Sequence, residues 1–266
     1  MSRVFWMFVI VLSSSWVWPQ PAPITSTKDS TALAIALKSL SAMGGVALKG
    51  YQDSTASGTV TYYSDTGTQT VPLVLKSKGT TQVRMEFQRS QSTDIYVRNG
   101  LAACMSRAQG GNANMDSVDL NAQRIDYIPA LSLLSEYANS NMNVQYAGTD
   151  TVNGSLADVI ALSFAIDTLP AGYDSLQLTQ HLIYVDRGTG LVTKTQSLRN
   201  GNGAQGFTAK IEMYFSNYQN VSGIAVPFKR SLYVDGILAS DLNLMSATLN
   251  SGLLDSDFVP ACGAGQ

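Results

Sequence analysis

The chain has 266 residues, 45% of them hydrophobic and 14% charged, with a formal net charge of −2. That length suits one domain of the larger all-β kind or two small ones, and either buries a sizeable core. The charge balance offers phosphates no basic stripe, which argues against nucleic acid as a partner, and Ser, Thr, Asn, Gln and Gly carry most of the polarity, as in secreted or periplasmic proteins.

Residues 1–22 read as a secretory signal peptide: Arg3 gives a positive start, Val4 to Leu12 an apolar run, and Ser13-Ser14-Ser15 a polar end. The run is short for a bilayer span of about 20 residues, which favours cleavage near Ala22 over an uncleaved anchor. No cysteine follows it, so lipid attachment at that point is excluded. The mature domain is then 23–266.

Asp29 or Ser30 caps a predicted helix through Leu33, Ile35, Leu37, Leu40 and Met43, stopped by Gly44-Gly45. Leu33, Leu37 and Leu40 form a stripe that either packs on a sheet or closes the mouth of an apolar cavity. Strands follow at Gly58 to Tyr63, Val71 to Lys76, Gln82 to Gln88 and Asp94 to Val97, and Asn99-Gly100 signals a hairpin into Leu101 to Met105. Residues 106–118 read as a polar Gly/Asn-rich loop, and Asp126 to Ala138 as a second helix with Pro129 in its first turn.

The second half returns to strands at Asn143 to Tyr146, Ala157 to Ile166, Gln177 to Asp186 and Leu191 to Leu198. From Phe207 to Leu249 the alternation is clearest. Phe207, Ala209, Ile211, Met213 and Phe215 hold one parity, Asn217 to Gly223 break it, and Ile224, Val226, Phe228, Leu232 and Val234 resume it up to an Asp235-Gly236 turn. Leu238, Leu242 and Leu244 make a third strand. No repeat and no linker divides the mature chain, so one domain is expected.

Most of the chemistry-bearing residue types fail on context. Gly201-Asn202-Gly203-Ala204-Gln205-Gly206 matches a dinucleotide fingerprint, but a strand rather than a helix follows it. His181 is the single histidine; without a partner histidine or a G-x-S-x-G turn it reads as a sheet residue, with no metal, cofactor or catalytic constellation implied. Asp116 with Asp119, and Asp255 with Asp257, read as capping or turn residues. Asn153-Gly154-Ser155 and Asn220-Val221-Ser222 fit the glycosylation triplet and in a bacterial setting are turns. Cys104 and Cys262 are the only cysteines; an oxidising compartment favours a disulfide between them, with two free thiols as the other reading.

Three motifs carry a family resemblance. Tyr218 to Phe228 (YQNVSGIAVPF) resembles the "YxxVxGxxVPF" step of periplasmic proteins related to the lipoprotein-localisation factors LolA and LolB. Tyr184 to Leu191 is similar to that superfamily's aspartate-then-TGL turn, and Val83 to Phe87 with Tyr96 to Gly100 resembles its early pair of strands. The resemblance implies a mainly β, α+β fold: one curved antiparallel sheet forming an incomplete barrel, its concave side covered by the helices near 30–43 and 126–138. It implies a non-enzymatic protein of the periplasm or cell envelope that binds a hydrophobic ligand or lipoprotein acyl chain, with peripheral membrane contact or an envelope protein partner. The alternative on the same fold is an envelope scaffold with a filled core.

The candidate cavity or lid residues are Arg84, Arg230, Met213, Phe215, Phe228, Leu37 and Leu40. Arg84 matches the arginine that holds the lid in the carriers, although Val83, Met85 and Phe87 have the opposite parity. Arg230 shares parity with the apolar residues of its strand, so it points inward unless a bulge intervenes, and a buried guanidinium needs a partner.

Overall fold

The computed structural model describes residues 26–100, 102–107, 111–114, 127–164, 179–200, 208–259 and 262. Within them the chain forms one curved antiparallel sheet of 13 strands, not closed into a barrel. The strands are β1 (Asp53–Ser64), β2 (Gly67–Lys78), β3 (Gln82–Arg89), β4 (Ser92–Asn99), β5 (Ala102–Arg107), β6 (Gly111–Asn114), β7 (Met142–Val152), β8 (Ser155–Phe164), β9 (His181–Asp186), β10 (Val192–Asn200), β11 (Thr208–Val221), β12 (Ile224–Val234) and β13 (Ile237–Leu249). The apolar run at 4–12, Asp116, Asp119, the loop 201–206 and Phe207 lie outside the described residues.

In space the order is β6-β5-β4-β3-β2-β1-β13-β12-β11-β10-β9-β8-β7. Two meanders, β1–β6 and β7–β13, are each built from neighbouring hairpins. They join along a single seam, β1 against β13, with Ser54 opposite Leu249 and Tyr62 opposite Ser240. A bulge interrupts the seam at Ser57/Gly58. A Cβ on Gly58 would stand 2.2 Å from the carbonyl oxygen of Asn243, so only glycine lets the two backbones approach here.

Residues directly opposite one another share a face of the sheet. The inner face, against which the first helix packs, carries Val60, Leu73, Phe87, Val226, Ile183 and Ile160 in one continuous core. That helix, α1 (Ser30–Met43), is capped by the Asp29 carboxylate, which accepts from the amides of Thr31 at 2.7 Å and Ala32 at 3.0 Å. It contacts β7, β8 and β12. Just before it, Asp29 donates its amide to the Val144 carbonyl, and Val144 donates back to Thr27; this covers part of the β7 edge, where bare backbone groups would otherwise invite another chain.

The face α1 buries corrects the expected stripe. Ala32, Ile35, Ala36, Ser39 and Met43 point into the core, Leu33 and Leu40 flank them, and Leu37 is 48% exposed. Small side chains at 32, 36 and 39 let the helix backbone lie close to the sheet. A face led by three leucines would hold it further off.

The helix expected over 126–138 shrinks to one turn, α3 (Leu131–Leu134), preceded by Ala130 at φ +56; α2 is the equally short Val46–Lys49. Tyr127, Ile128, Leu131, Leu133 and Leu134 are all buried. This segment belongs to the connection between β6 and β7, which lie at opposite edges of the sheet. A stretch enclosed on all sides has no polar face to keep a helical period. Two smaller corrections follow. The stretch expected as a loop at 106–118 contains the edge strand β6, and the break at Asn217 is a single residue at φ +52 that leaves the pairing with β12 in register, after which β11 continues to Val221.

The C-terminal residues return across the outer face. The buried Asp53 carboxylate accepts from the Ser251 amide at 2.6 Å, its hydroxyl at 2.7 Å and the Gly252 amide at 3.2 Å. Lys78 meets Asp255 at 2.6 Å, Phe258 is fully buried in a 3₁₀ turn (Asp255–Phe258) packed on β3 and β4, and Cys262 is bonded to Cys104.

Candidate functional site

Two of the three motifs turn out to seat α1. In the turn after β9 the Asp186 carboxylate accepts from the Thr189 amide at 2.7 Å and its hydroxyl at 2.8 Å, and these bonds hold the carboxyl below its ordinary range against the opposing effect of burial. Gly190 has φ +75, and a Cβ there would reach 3.0 Å from the Cβ of Ala42 on α1. Lys38 donates to the Arg187 carbonyl at 2.6 Å. The Ser222-Gly223 turn stands against the end of the same helix, with the Gly223 carbonyl oxygen 3.1 Å from where a Cβ on Gly44 would lie.

From α1 the inner face changes character along β11–β13. Ile224 and Val226, beside the helix end, are 2% and 0% exposed. Farther along, Val71, Val60, Leu242, Arg230 and Phe215 form one row across five strands, still nearly buried except for Leu242. One row beyond, Gln69, Tyr62, Ser240, Leu232 and Met213 stand in line and are partly or fully exposed. The sheet therefore opens toward the Asp235-Gly236 turn.

At the border between closed and open rows sits Arg230, 5% exposed. Its Nη2 donates to the Tyr127 carbonyl, and its Cζ lies 5.5 Å from the centre of the Tyr127 ring. Burial pushes the Tyr127 phenol up to about 12, with the guanidinium pulling the other way, and the buried hydroxyl makes no hydrogen bond among the described residues. Tyr218 is likewise raised by burial, against the pull of Arg230, and donates to the Val192 carbonyl at 2.5 Å.

Of the predicted site residues, Arg230, Phe215, Phe228 and Met213 share the inner face, and Leu40 packs on its core from α1. Leu37 faces away from it. Arg84 lies on the opposite face, with Nε 2.6 Å from Glu86 and Nη1 3.3 Å from the Asp257 carbonyl. The parity of Val83, Met85 and Phe87 puts it there, so it holds the C-terminal segment and not a lid. His181 is buried opposite Leu162 and Ser197. Among the described residues no three His, Cys, Asp or Glu side chains converge on a metal-sized site. Asp257 accepts from the Leu254 amide at 2.8 Å, and Asn220 from the Gly223 amide at 2.9 Å, both as turn residues.

The sequence reading missed an ion cluster on the outer face. Lys194 stands 2.7 Å from Glu212 and 4.4 Å from the centre of the Tyr184 ring, and Lys210 meets the other Glu212 oxygen at 3.0 Å. Burial alone would neutralise both partners. The Glu212 carboxylate and the neighbouring tyrosines outweigh it and raise Lys194, and the two lysines lower Glu212. The signal was present in strand parity: Lys210, Glu212 and Tyr214 alternate with the apolar residues of β11.

No protein-family model matches the chain, and no curated protein matches it in sequence. Solved structures match it in fold. A domain described as outer membrane lipoprotein-sorting, from Vibrio parahaemolyticus, superposes with a TM-score of 0.56 over 85% of this chain and 95% of its own, at 15% identity. A LolA superfamily protein from Nitrosomonas europaea gives 0.55 over 86% and 97%, at 12% identity. The fold is LolA-like. A DUF1329 family protein from Desulfovibrio piger shares it, at 0.56 over 88% of this chain, 98% of its own and 12% identity. In this LolA-like sheet, two of the recognised motifs are the seat of α1, and the open rows lie at the end away from the helix terminus they hold.

Proposed function

We propose that the protein is an exported, non-enzymatic binder or carrier of a hydrophobic ligand, a lipid or lipoprotein acyl chain, held on the inner face of the sheet. The observation that carries this reading is the row Tyr62, Leu232 and Met213, which leaves large apolar groups partly in water beside a closed core. Exposed apolar surface costs about 25 cal/mol per Å², and an acyl chain laid along the row removes it. Methionine and aromatic side chains adapt to a flexible occupant. The likeness to a lipoprotein-sorting domain and a LolA superfamily protein supports the same reading. Native mass spectrometry with lipid extraction, on protein purified from its own envelope, tests it: a co-purifying lipid and binding of a fluorescent fatty acid are expected.

A second reading is an envelope scaffold that engages a protein partner. It is favoured by the Tyr127–Leu134 stretch, whose buried Ile128, Leu133 and Leu134 occupy the core. Absence of lipid from the purified protein, with no fatty-acid binding, would leave the scaffold in place of the carrier.

A further inference from the structure

The open row does not end on apolar groups. At β2 it reaches Gln69, whose Oε1 accepts from Arg89 Nη1 at 3.3 Å, and Arg89 Nε donates to Asp94 at 2.6 Å. Arg89 follows Phe87 on the inner parity of β3, and Asp94 stands directly opposite Phe87 on β4. Ile95 pairs with Ser106, which brings Asp94 level with Arg107, two residues beyond the inner-facing Met105. Gln69, Arg89, Asp94 and Arg107, with Gln88 and Gln91, line a groove of about 880 Å³ at the hairpin tips.

The groove is polar and carries an excess of positive charge. Among the described residues two guanidiniums face one carboxylate, and Arg89 already bonds that carboxylate. The Arg107 side chain is exposed and makes no ion pair or hydrogen bond among the described residues. Tyr62 stands opposite the groove residue Gln69 and links it to the apolar row: its ring lies 6.4 Å from Phe87, and its hydroxyl feels both Arg89 and Asp94. From Gln69 to Met213 the row crosses four strand spacings of about 4.8 Å, about 19 Å in all, the reach of an extended long acyl tail.

We propose that this groove is a head-group subsite, and that the ligand is a single-chain amphiphile with an anionic carboxylate or phosphate head. The head meets Arg107, with Arg89 and the glutamine amides beside it, and the tail runs past Tyr62 along Leu232 and Met213. A planar guanidinium suits either oxyanion through paired hydrogen bonds. The inference rests on the apolar-ligand reading above and adds the charge of the head to it.

Calorimetric titration of the full mature protein with palmitate, cetyl phosphate, cetyl alcohol and inorganic phosphate tests it. Palmitate and cetyl phosphate should bind about tenfold or more tighter than the alcohol, the worth of one charge-assisted hydrogen bond. Arg107→Gln should remove that preference without changing the melting temperature, and Arg107→Lys should restore part of it. Equal binding of acid and alcohol would overturn the head-group subsite and leave the apolar reading standing. Binding of inorganic phosphate that depends on Arg107, with no preference among the amphiphiles, would overturn the link between groove and tail. If no amphiphile binds, both readings fall.

Discussion

Arg230 on β12 donates to the carbonyl of Tyr127, 103 positions earlier in the chain, and lies over the ring of the same residue. One side chain thus ties the segment that crosses between the sheet's two edges to the floor it crosses. Arg230→Met should lower stability by about 1.5–3 kcal/mol, the value of a hydrogen bond from a charged donor, read as a fall in the urea midpoint. Arg230→Lys should recover less than half, because an ammonium lacks the planar surface that stacks on the ring.

The Lys194–Glu212 pair predicts a pH profile. The folded pKa of Glu212 lies below its unfolded value, so its contribution is present above the ordinary glutamate range and lost as pH falls through the lowered value. The folded pKa of Lys194 lies above its unfolded value, so its contribution is complete below the ordinary lysine range and lost as pH rises through the raised value. Melting temperature against pH should form a plateau between these limits. Glu212→Gln should cost about 3 kcal/mol at neutral pH by leaving the buried ammonium without its anion, and it should flatten the acid limb.

The Cys104–Cys262 bond closes a loop of 158 positions. Replacing both cysteines by serine should cost about 2–5 kcal/mol, seen as a drop of roughly 5–15 °C in the melting temperature for a chain of this size. Limited proteolysis should then cut first in 253–262, because the disulfide, the Lys78–Asp255 pair and buried Phe258 are what hold that segment to the outer face.

Gly58→Ala tests the seam. A methyl group 2.2 Å from the Asn243 carbonyl forces β1 and β13 apart, and the variant should lose about 3 kcal/mol or more or fail to fold. Gly100→Ala, where a Cβ meets nothing within 4 Å, should cost only about 1 kcal/mol for its positive φ. Comparison of the two by chemical denaturation separates the backbone clash from the conformational term.

Alternation along Phe207 to Phe215 and Ile224 to Val234, together with the Asn99-Gly100 and Asp235-Gly236 turns, determined the strands, their hairpins and the inward side of Arg230. These are local properties: side-chain period and turn chemistry act between near neighbours and need no knowledge of the rest of the chain. The motifs were legible for the same reason, although their service to α1 was not. Tertiary structure decided everything that depends on distant partners. It chose Ala32, Ala36 and Ser39 over the leucines as the buried face of α1, because close approach to the sheet matters more than side-chain size. It reduced the expected second helix to the single turn Leu131–Leu134, because the stretch 127–134 is buried all round and gains nothing from an amphipathic helix. It placed Arg84 against the C-terminal segment, brought Arg89, Asp94 and Arg107 to one groove, and set β1 beside β13, since pairing between the two ends of a chain leaves no period in either.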